Sequence, residues 1–313
     1  MPETALVTGG AGFIGSHLVE LLVSEGYKVR VLDNLIKGKL GSIDSLIADG
    51  YVEFIEGDIR SRDVVDRAIR GSDYVFHTAG VHIQRSVASP DECISVNLQG
   101  SYNVFRSALD HDVKRVIFSS SSSIYGDPDT LPMTEDARVN PVEPYGASKW
   151  MAEQLLVTLA KEGLRYNALR YFNVYGERQA AHAFYTTVII AFIKRILNGE
   201  APVIDGKGDQ SMDFTHVTDV ARANVAAARC EATNEVFNVG TGVSTTVAEL
   251  AEILREALGS DVHPEFSGRP SLVSRRQAST EKAERLMGFK AEVDVRDGLT
   301  AVAQAIAAAP ASY

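Results

Sequence analysis

Directly after the apolar run Ala5-Leu6-Val7, the chain reads Thr8-Gly9-Gly10-Ala11-Gly12-Phe13-Ile14-Gly15, and Leu18, Leu21 and Leu22 then recur at helical spacing. A strand, a glycine-rich turn and a helix are the reading. The glycines have separable tasks. Gly9 lets the backbone turn sharply off the strand, Gly12 removes a side chain where a pyrophosphate must approach, and Gly15 allows the helix to pack closely on the sheet. The helix N-terminus, with unpaired N–H groups and the positive end of the dipole, would face that anion. A glycine-rich turn by itself needs no ligand; a strand before, a helix after and an acid further on define the dinucleotide fingerprint. The acid is Asp33, 18 residues past Gly15, at the end of a strand over 27–34. A carboxylate there accepts hydrogen bonds from ribose hydroxyls and repels a 2′-phosphate, so NAD is expected as cofactor rather than NADP. Lys37 and Lys39 keep NADP from being excluded.

Further strands are expected at 52–55, 73–77, 115–118, 166–171 and 235–239, with a short one at 203–204. Helices are expected at about 63–70, 90–111, 145–162, 186–197, 218–229, 247–258, 280–287 and 295–308. This alternation predicts an α/β fold: a Rossmann-like doubly wound parallel sheet with ligands at the strand C-terminal ends. The pattern loses its regularity after Phe172. A dinucleotide-binding domain over 1–171, with a return segment at about 214–240, is therefore expected beside a smaller C-terminal α/β substrate lobe over 172–213 and 241–313. The cleft between them is a natural small-molecule site.

The length of 313 residues suits one large domain or two smaller ones. A formal net charge of −10 argues against non-specific nucleic-acid binding and gives no membrane-surface signal. The opening residues read as a first strand instead of a signal peptide, and no apolar run approaches bilayer length. Cys93 and Cys230 have no metal-ligand spacing, and His182 and His216 have no carboxylate or cysteine partners at such spacing. A cytoplasmic protein with free thiols and no metal is the expectation.

Two stretches carry chemistry. In Tyr145-Gly146-Ala147-Ser148-Lys149 the first and last residues share a helix face. An ammonium there favours the phenolate and makes Tyr145 a candidate general base near neutral pH; taken alone, the pair also fits an exposed helix surface. In Phe118-Ser119-Ser120-Ser121-Ser122-Ser123-Ile124-Tyr125-Gly126 the serines fit a flexible linker, but the apolar strand before them argues for hydroxyls presented at a strand end.

Together these segments resemble the extended short-chain dehydrogenase/reductases of the nucleotide-sugar epimerase/dehydratase family. The resemblance runs from Ala5 to about Gly288. It rests on the glycine turn, Gly57-Asp58, Ser119 to Gly126, Tyr145 to Lys149, Arg170 to Gly176, Asp213 to Val217 and Phe237 to Gly240. It implies Tyr145 as the base that removes a sugar hydroxyl proton. Lys149 would bind the nicotinamide ribose and depress the tyrosine pKa, and Ser121 would hydrogen-bond the reacting oxygen. Asp58 and Ile59 would contact adenine, and Asn97 would order the active-site loop. The remaining cofactor candidates are Phe13, Ile14, Asn34, Gly38, Thr78, Ala79, Gly80, Ser119, Tyr171 and Val174, beside Gly9, Gly12, Gly15, Asp33 and Lys37. Substrate candidates are His82, Ser121, Ser123, Tyr145, Asn173, Val188, Val203 and Arg269, the last two families of contact including the nucleotide diphosphate at Asn173 and Arg269. A homodimer through a four-helix bundle is implied for the helices at 95–110 and 149–160, where Leu155, Leu156 and Leu159 serve the bundle or the core equally well.

Two departures shape the expected reaction. Dehydratases of the family carry an Asp-Glu pair where this chain has Ser122 and Ser123, which cannot supply acid and base for loss of water at neutral pH. Met212 stands where many relatives place a second phosphate-binding arginine. C4 epimerisation of a UDP-hexose is the leading expectation, with glucose/galactose and glucuronate/galacturonate as the pairs. Ala180 aligns with an arginine of acid-specific relatives, which weakens the acid pair, and Arg276 aligns with a position whose size limits 2-acetamido sugars. The competing readings are a dehydratase, decarboxylase or net oxidoreductase of the same family, and a non-catalytic NAD-binding sensor. His17 reads as a surface or packing residue, and Trp150 as a packing residue.

Overall fold

The computed structural model describes residues 2–179, 188–269 and 275–309. A buried strand, β1 (Thr4–Thr8), passes through the glycine turn into α1 (Phe13–Ser24), and the strand-then-helix unit repeats. β2 (Lys28–Asp33), α2 (Asp44–Ala48), β3 (Val52–Glu56), α3 (Arg62–Ile69), β4 (Tyr74–His77) and the short α4 (Ile83–Ala88) follow. The long helix expected at 90–111 is built from α5 (Pro90–Cys93), a π-helical segment over Ile94–Gly100 and α6 (Ser101–Asp110). Next come β5 (Arg115–Ser121), a 3-10 turn over Ser122–Tyr125, α7 (Pro144–Ala160), β6 (Tyr166–Tyr171) and β7 (Val174–Tyr175). The remainder is α8 (Val188–Leu197), β8 (Val203–Ile204), β9 (Ser211–Met212), β10 (Thr215–His216), α9 (Val217–Arg229), β11 (Glu235–Val239), β12 (Thr245–Thr246), α10 (Val247–Ala257), β13 (Glu265–Phe266), α11 (Glu281–Met287) and α12 (Val295–Ala308).

Seven strands form one sheet in the order β11-β6-β5-β4-β1-β2-β3, every pair parallel. This is the Rossmann-like doubly wound arrangement. Both faces are covered, which is why Ala5, Leu6 and Val7 are all fully buried in one strand. One core lies under α1 and α9 and includes Leu18, Leu22, Val220 and Phe237. The other lies under α3, α6 and α7 and includes Val65, Phe105, Leu156 and Leu159. Leu156 and Leu159 are thus core residues, whereas Leu155 only flanks that cluster.

A third core joins α8, α10 and α12 through Ile190, Ile193, Leu250, Leu254 and Leu299. Met212 packs against it, so the position is used for apolar contact. Three short pairings, β7 with β10, β9 with β12 and β8 with β13, stitch this part of the chain together. Two-residue strands carry no alternation, and only the one at 203–204 was legible in sequence. Among the described residues no helix is long and apolar enough to cross a membrane.

Candidate active site

From β3 at one edge the chain crosses to β4, on the far side of β1, so strand order reverses between β1 and β4. Crevices form at such switch points, outside the strand C-terminal ends. Here the two turns touch: a Cβ on Gly9 would stand 2.7 Å from the Ala79 nitrogen, and Gly9 has φ +72°. Gly15 is equally constrained, since its Cβ would lie 2.1 Å from the Gly9 carbonyl oxygen. That contact is with the turn itself. The approach to the sheet falls to Gly10, whose Cβ would meet the Val31 side chain at 2.8 Å. Gly12 differs, with only the Gly9 oxygen nearby at 3.1 Å. It is the N-cap of α1 without a side-chain cap, which leaves helix N–H groups open toward an anion.

A cavity of about 320 Å³ runs from this turn along the strand ends. Gly9, Gly12, Phe13, Ile14, Gly15, Asp33, Asn34, Lys37, Gly38 and Ile59 line it at one end. Thr78, Ala79, Gly80, His82, Ser119, Tyr145, Lys149 and Tyr171 line the other. Asp33 Oδ1 accepts from Leu35 N at 2.8 Å and Oδ2 from Ala11 N at 3.1 Å, which fixes the carboxylate in the cavity wall. Burial raises its pKa. The uncapped helix, the side-chain-free face of Gly12 and a carboxylate at the far wall fit the pyrophosphate and ribose of a dinucleotide.

Asp58 stands outside the lining, behind Asn34. It pairs with Arg60 at 2.7 Å and accepts from Asn34 Nδ2 at 2.9 Å, and chiefly the Arg60 hydrogen bond holds its carboxyl at about 2. Asn97 also lies behind the wall, where it works as a clamp: Oδ1 accepts from Val81 N at 2.6 Å and Nδ2 donates to Val81 O at 3.0 Å. The π-helical segment carries this side chain to the loop after β4. Gly80 is pinned there, 3.1 Å from Asn97 Oδ1 to its would-be Cβ.

His77, fully buried beneath the cavity, ties the same parts together. Ser101 Oγ donates to Asn97 O at 2.6 Å, so His77 Nε2 must donate to Ser101 Oγ at 2.9 Å, and Nδ1 accepts from Thr8 Oγ1 at 2.7 Å. The ring is neutral, held at about 3 by burial and then by the charge of Lys149. Sequence reasoning passed over His77, because a histidine ending a strand gives no signal until Ser101 is folded against it.

At the reacting end, Lys149 Nζ donates to Ser119 O at 2.7 Å, 5.6 Å from the centre of the Tyr145 ring. Burial lowers the ammonium to about 8 and raises the Tyr145 phenol to about 12. In the protein alone the ammonium is bonded to a backbone carbonyl, and burial sets the phenol high. The Ser121 hydroxyl is the neighbour that pulls the phenol back down. Behind the serines, Ser120 Oγ donates to Glu153 at 2.5 Å, and Glu153 pairs with Arg170 at 2.8 Å in a buried ion pair that joins α7 to β6.

The structure does not bring every candidate to the cavity. Ser121 and Ser123 sit just beyond its lining, buried at the end of β5. Asn173, at φ +26°, donates to Asp213 O at 3.2 Å, and Val174 packs against the first core. Val188 opens α8, Val203 pairs with Glu265, and exposed Arg269 is paired with Asp205 at 2.9 Å. Ala180 and His182 lie outside the described residues. His17 is half-buried and bonded to Glu177 O at 3.0 Å, and Trp150 packs against the small core that holds Tyr125 and Phe172. The lining also includes Arg85 and Glu92, paired at 2.7 Å, which were not foreseen because α4 is too short to show a period. Among the described residues no group of three or more His, Cys, Asp and Glu is placed to hold a metal ion.

The sheet order, the glycine turn and the Tyr-Lys pair at one cavity define a dinucleotide-binding enzyme fold of the short-chain dehydrogenase/reductase type. The chain belongs to the NAD dependent epimerase/dehydratase family, whose description it matches over residues 5–240, and its cofactor is NAD. It is similar to a UDP-N-acetylglucosamine 4-epimerase from Methanobrevibacter ruminantium M1, solved with UDP-N-acetylmuramic acid: 35% identity, 98% and 99% of the two chains covered, TM-score 0.92. A UDP-glucose 4-epimerase from Thermotoga maritima, solved with UDP-glucose, is 35% identical over 97% and 99% of the chains, TM-score 0.90. A dTDP-glucose 4,6-dehydratase from Streptomyces venezuelae, solved with NAD, is 29% identical over 99% and 98%, TM-score 0.89.

Proposed function

We propose that this protein is a UDP-hexose 4-epimerase that acts on glucose/galactose or glucuronate/galacturonate. The observation that carries the reading is Tyr145 and Lys149 lining the end of a dinucleotide cavity, with the Ser121 hydroxyl bonded to the Tyr145 phenol just beyond the lining, and serines at 122 and 123 where a dehydratase needs an acid and a base. Both 4-epimerases and a dehydratase stand among the relatives, and Ser122 and Ser123 favour the former.

NAD supplies a hydride acceptor and, in its oxidised form, a positive ring. Tyr145 takes the proton from the C4 hydroxyl, and Ser121 holds the reacting oxygen. In the protein alone burial holds the phenol at about 12 and the Ser121 hydroxyl draws it down. After rotation of the keto-sugar, the hydride held by the bound cofactor would return to the other face of C4, and Tyr145 would return the proton to the oxygen. The test is incubation with UDP- and dTDP-sugars without added cofactor: C4 epimers support the reading, and loss of mass replaces it by dehydration or decarboxylation.

A homodimer goes with this reading. Leu98, Tyr102, Met151 and Leu155 line a groove between α7 and the 94–110 helix, with Met151 49% and Ile94 54% exposed. A Met151→Glu variant that sediments as the wild type does would reject that face.

A further inference from the structure

Glu153 and Arg170 form the most deeply buried ion pair among the described residues, with side chains 2% and 4% exposed. Arg170 Nε donates to Glu153 Oε1 at 3.1 Å and Nη2 to Oε2 at 2.8 Å, while Ser120 Oγ donates to Oε1 at 2.5 Å. Neither charged side chain lines the cavity, and proton transfer to Tyr145 uses neither. Two charges taken out of water add little stability where apolar side chains of similar volume would pack as well. What such a pair supplies is direction, which the apolar contacts that Ala152 and Leu156 of α7 make in the second core lack.

The pair fastens the elements that carry the reacting groups. On α7, Glu153 follows Lys149 by one helical turn and Tyr145 by two, so the three share a face. At the end of β5, Ser119 O accepts from the Lys149 ammonium at 2.7 Å, and the next residue, Ser120, donates to Glu153. Helix and strand are thus joined at two successive turns. Ser119, Ser120, Tyr145 and Lys149 all line the cavity. Arg170 reaches the other end of the serine run: its Nη1 donates to Tyr125 OH and to Glu135 O, each at 2.8 Å, and Tyr125 OH donates to Asn238 Oδ1 at 2.7 Å. Ser121 to Ser123 therefore lie between two grips of one ion pair.

We propose that Glu153 and Arg170 are positioning residues for the reaction: the pair fixes α7 against the end of β5, so that Tyr145, Lys149 and the serine run keep one arrangement. The proposal rests on the C4-epimerase reading and adds to it two residues outside the cavity. A misplacement of about 1 Å at the reacting atoms costs on the order of 100-fold in rate. Apolar packing alone would let α7 slip by that much.

The experiment compares holoenzymes of the wild type, the double variant Glu153→Met with Arg170→Met, and Tyr125→Phe on UDP-glucose and UDP-glucuronate, with rates normalised to bound NAD. Two methionines replace the pair by apolar volume, so fold and NAD content are expected to hold. On whichever sugar the wild type epimerises, kcat of the double variant is expected to fall about 100-fold with KM little changed. Tyr125→Phe keeps the ion pair and loosens one grip, and a smaller fall in kcat is expected. Wild-type kcat per bound NAD in the double variant, whether or not its Tm drops, makes the pair a structural one and overturns the proposal. A rise in KM at unchanged kcat overturns it as well. If the double variant does not fold, Tyr125→Phe decides, and a wild-type kcat there rejects the positioning role. If the wild type epimerises no sugar, the epimerase reading fails instead, and crystal structures of wild type and double variant decide the positioning. A Lys149–Ser119 contact that stays at 2.7 Å then rejects it, and a displaced one supports it.

Discussion

The Lys149 ammonium is anchored on the Ser119 carbonyl at 2.7 Å, so the cation of the Tyr-x-x-x-Lys pair is held by β5 and sits below the ring face of Tyr145. The helix supplies the spacing, and the strand end decides where the charge goes. Lys149 thereby becomes part of the cavity wall.

Tyr145→Phe removes the phenol and leaves the cavity wall in place. Turnover is expected to fall by about 10³-fold or more, while NAD released on denaturing the purified variant matches the wild-type amount. Activity near the wild-type level would reject Tyr145 as the base.

Lys149 gives a signed pH effect on stability. Its ammonium sits at about 8 in the fold against an ordinary 10.5. Between those values the unfolded chain binds the proton and the folded chain does not, so stability rises with pH across the window, by at most about 1.4 kcal/mol per unit. Below pH 8 the burden of a buried cation is fully present. Denaturant unfolding of the wild type and Lys149→Met at pH 8 and 9.5 should differ in slope by this contribution, and parallel slopes would refute it.

For His77 the window lies on the acid side. The imidazole is held at about 3 against an ordinary 6.5. As pH falls below 6.5 the unfolded chain takes a proton that the fold refuses, and stability declines by about 1.4 kcal/mol per unit until pH 3. A His77→Gln variant should lose that part of the acid slope in urea titrations at pH 6 and 4.5. An unchanged slope would mean that the ring titrates normally.

The glycines should separate by function. Gly15→Ala places a Cβ 2.1 Å from the Gly9 carbonyl and is expected to lower Tm by several degrees or abolish folding. Gly12→Ala meets only that oxygen at 3.1 Å. Its fold should survive, with bound NAD lost, as read by thermal melts and cofactor content side by side. Retained NAD in Gly12→Ala would show that the pyrophosphate lies elsewhere.

Much of this architecture was legible in the chain. Continuous apolar runs bounded by Gly and Asp set the strands of the central sheet, because strands covered on both faces have to be apolar throughout. Gly9, Gly12 and Asp33 were readable for the same local reason: a turn, a bare backbone and a strand-end carboxylate depend on neighbours in sequence. The Tyr145–Lys149 spacing was fixed by the helix alone.

Tertiary structure decided what depends on partners distant in sequence. Where the Lys149 ammonium goes turned on Ser119, 30 residues away, and burial sets the Tyr145 phenol in the protein alone. Thr8, His77, Ser101 and Asn97 became one hydrogen-bonded line only when β1, β4 and the π-helical segment met. Arg276 and Gln277 gained their place through backbone bonds to Ser211 and Met133. Sequence carries periodicity and residue type, whereas desolvation and charge pairing exist only once distant segments share one dry space.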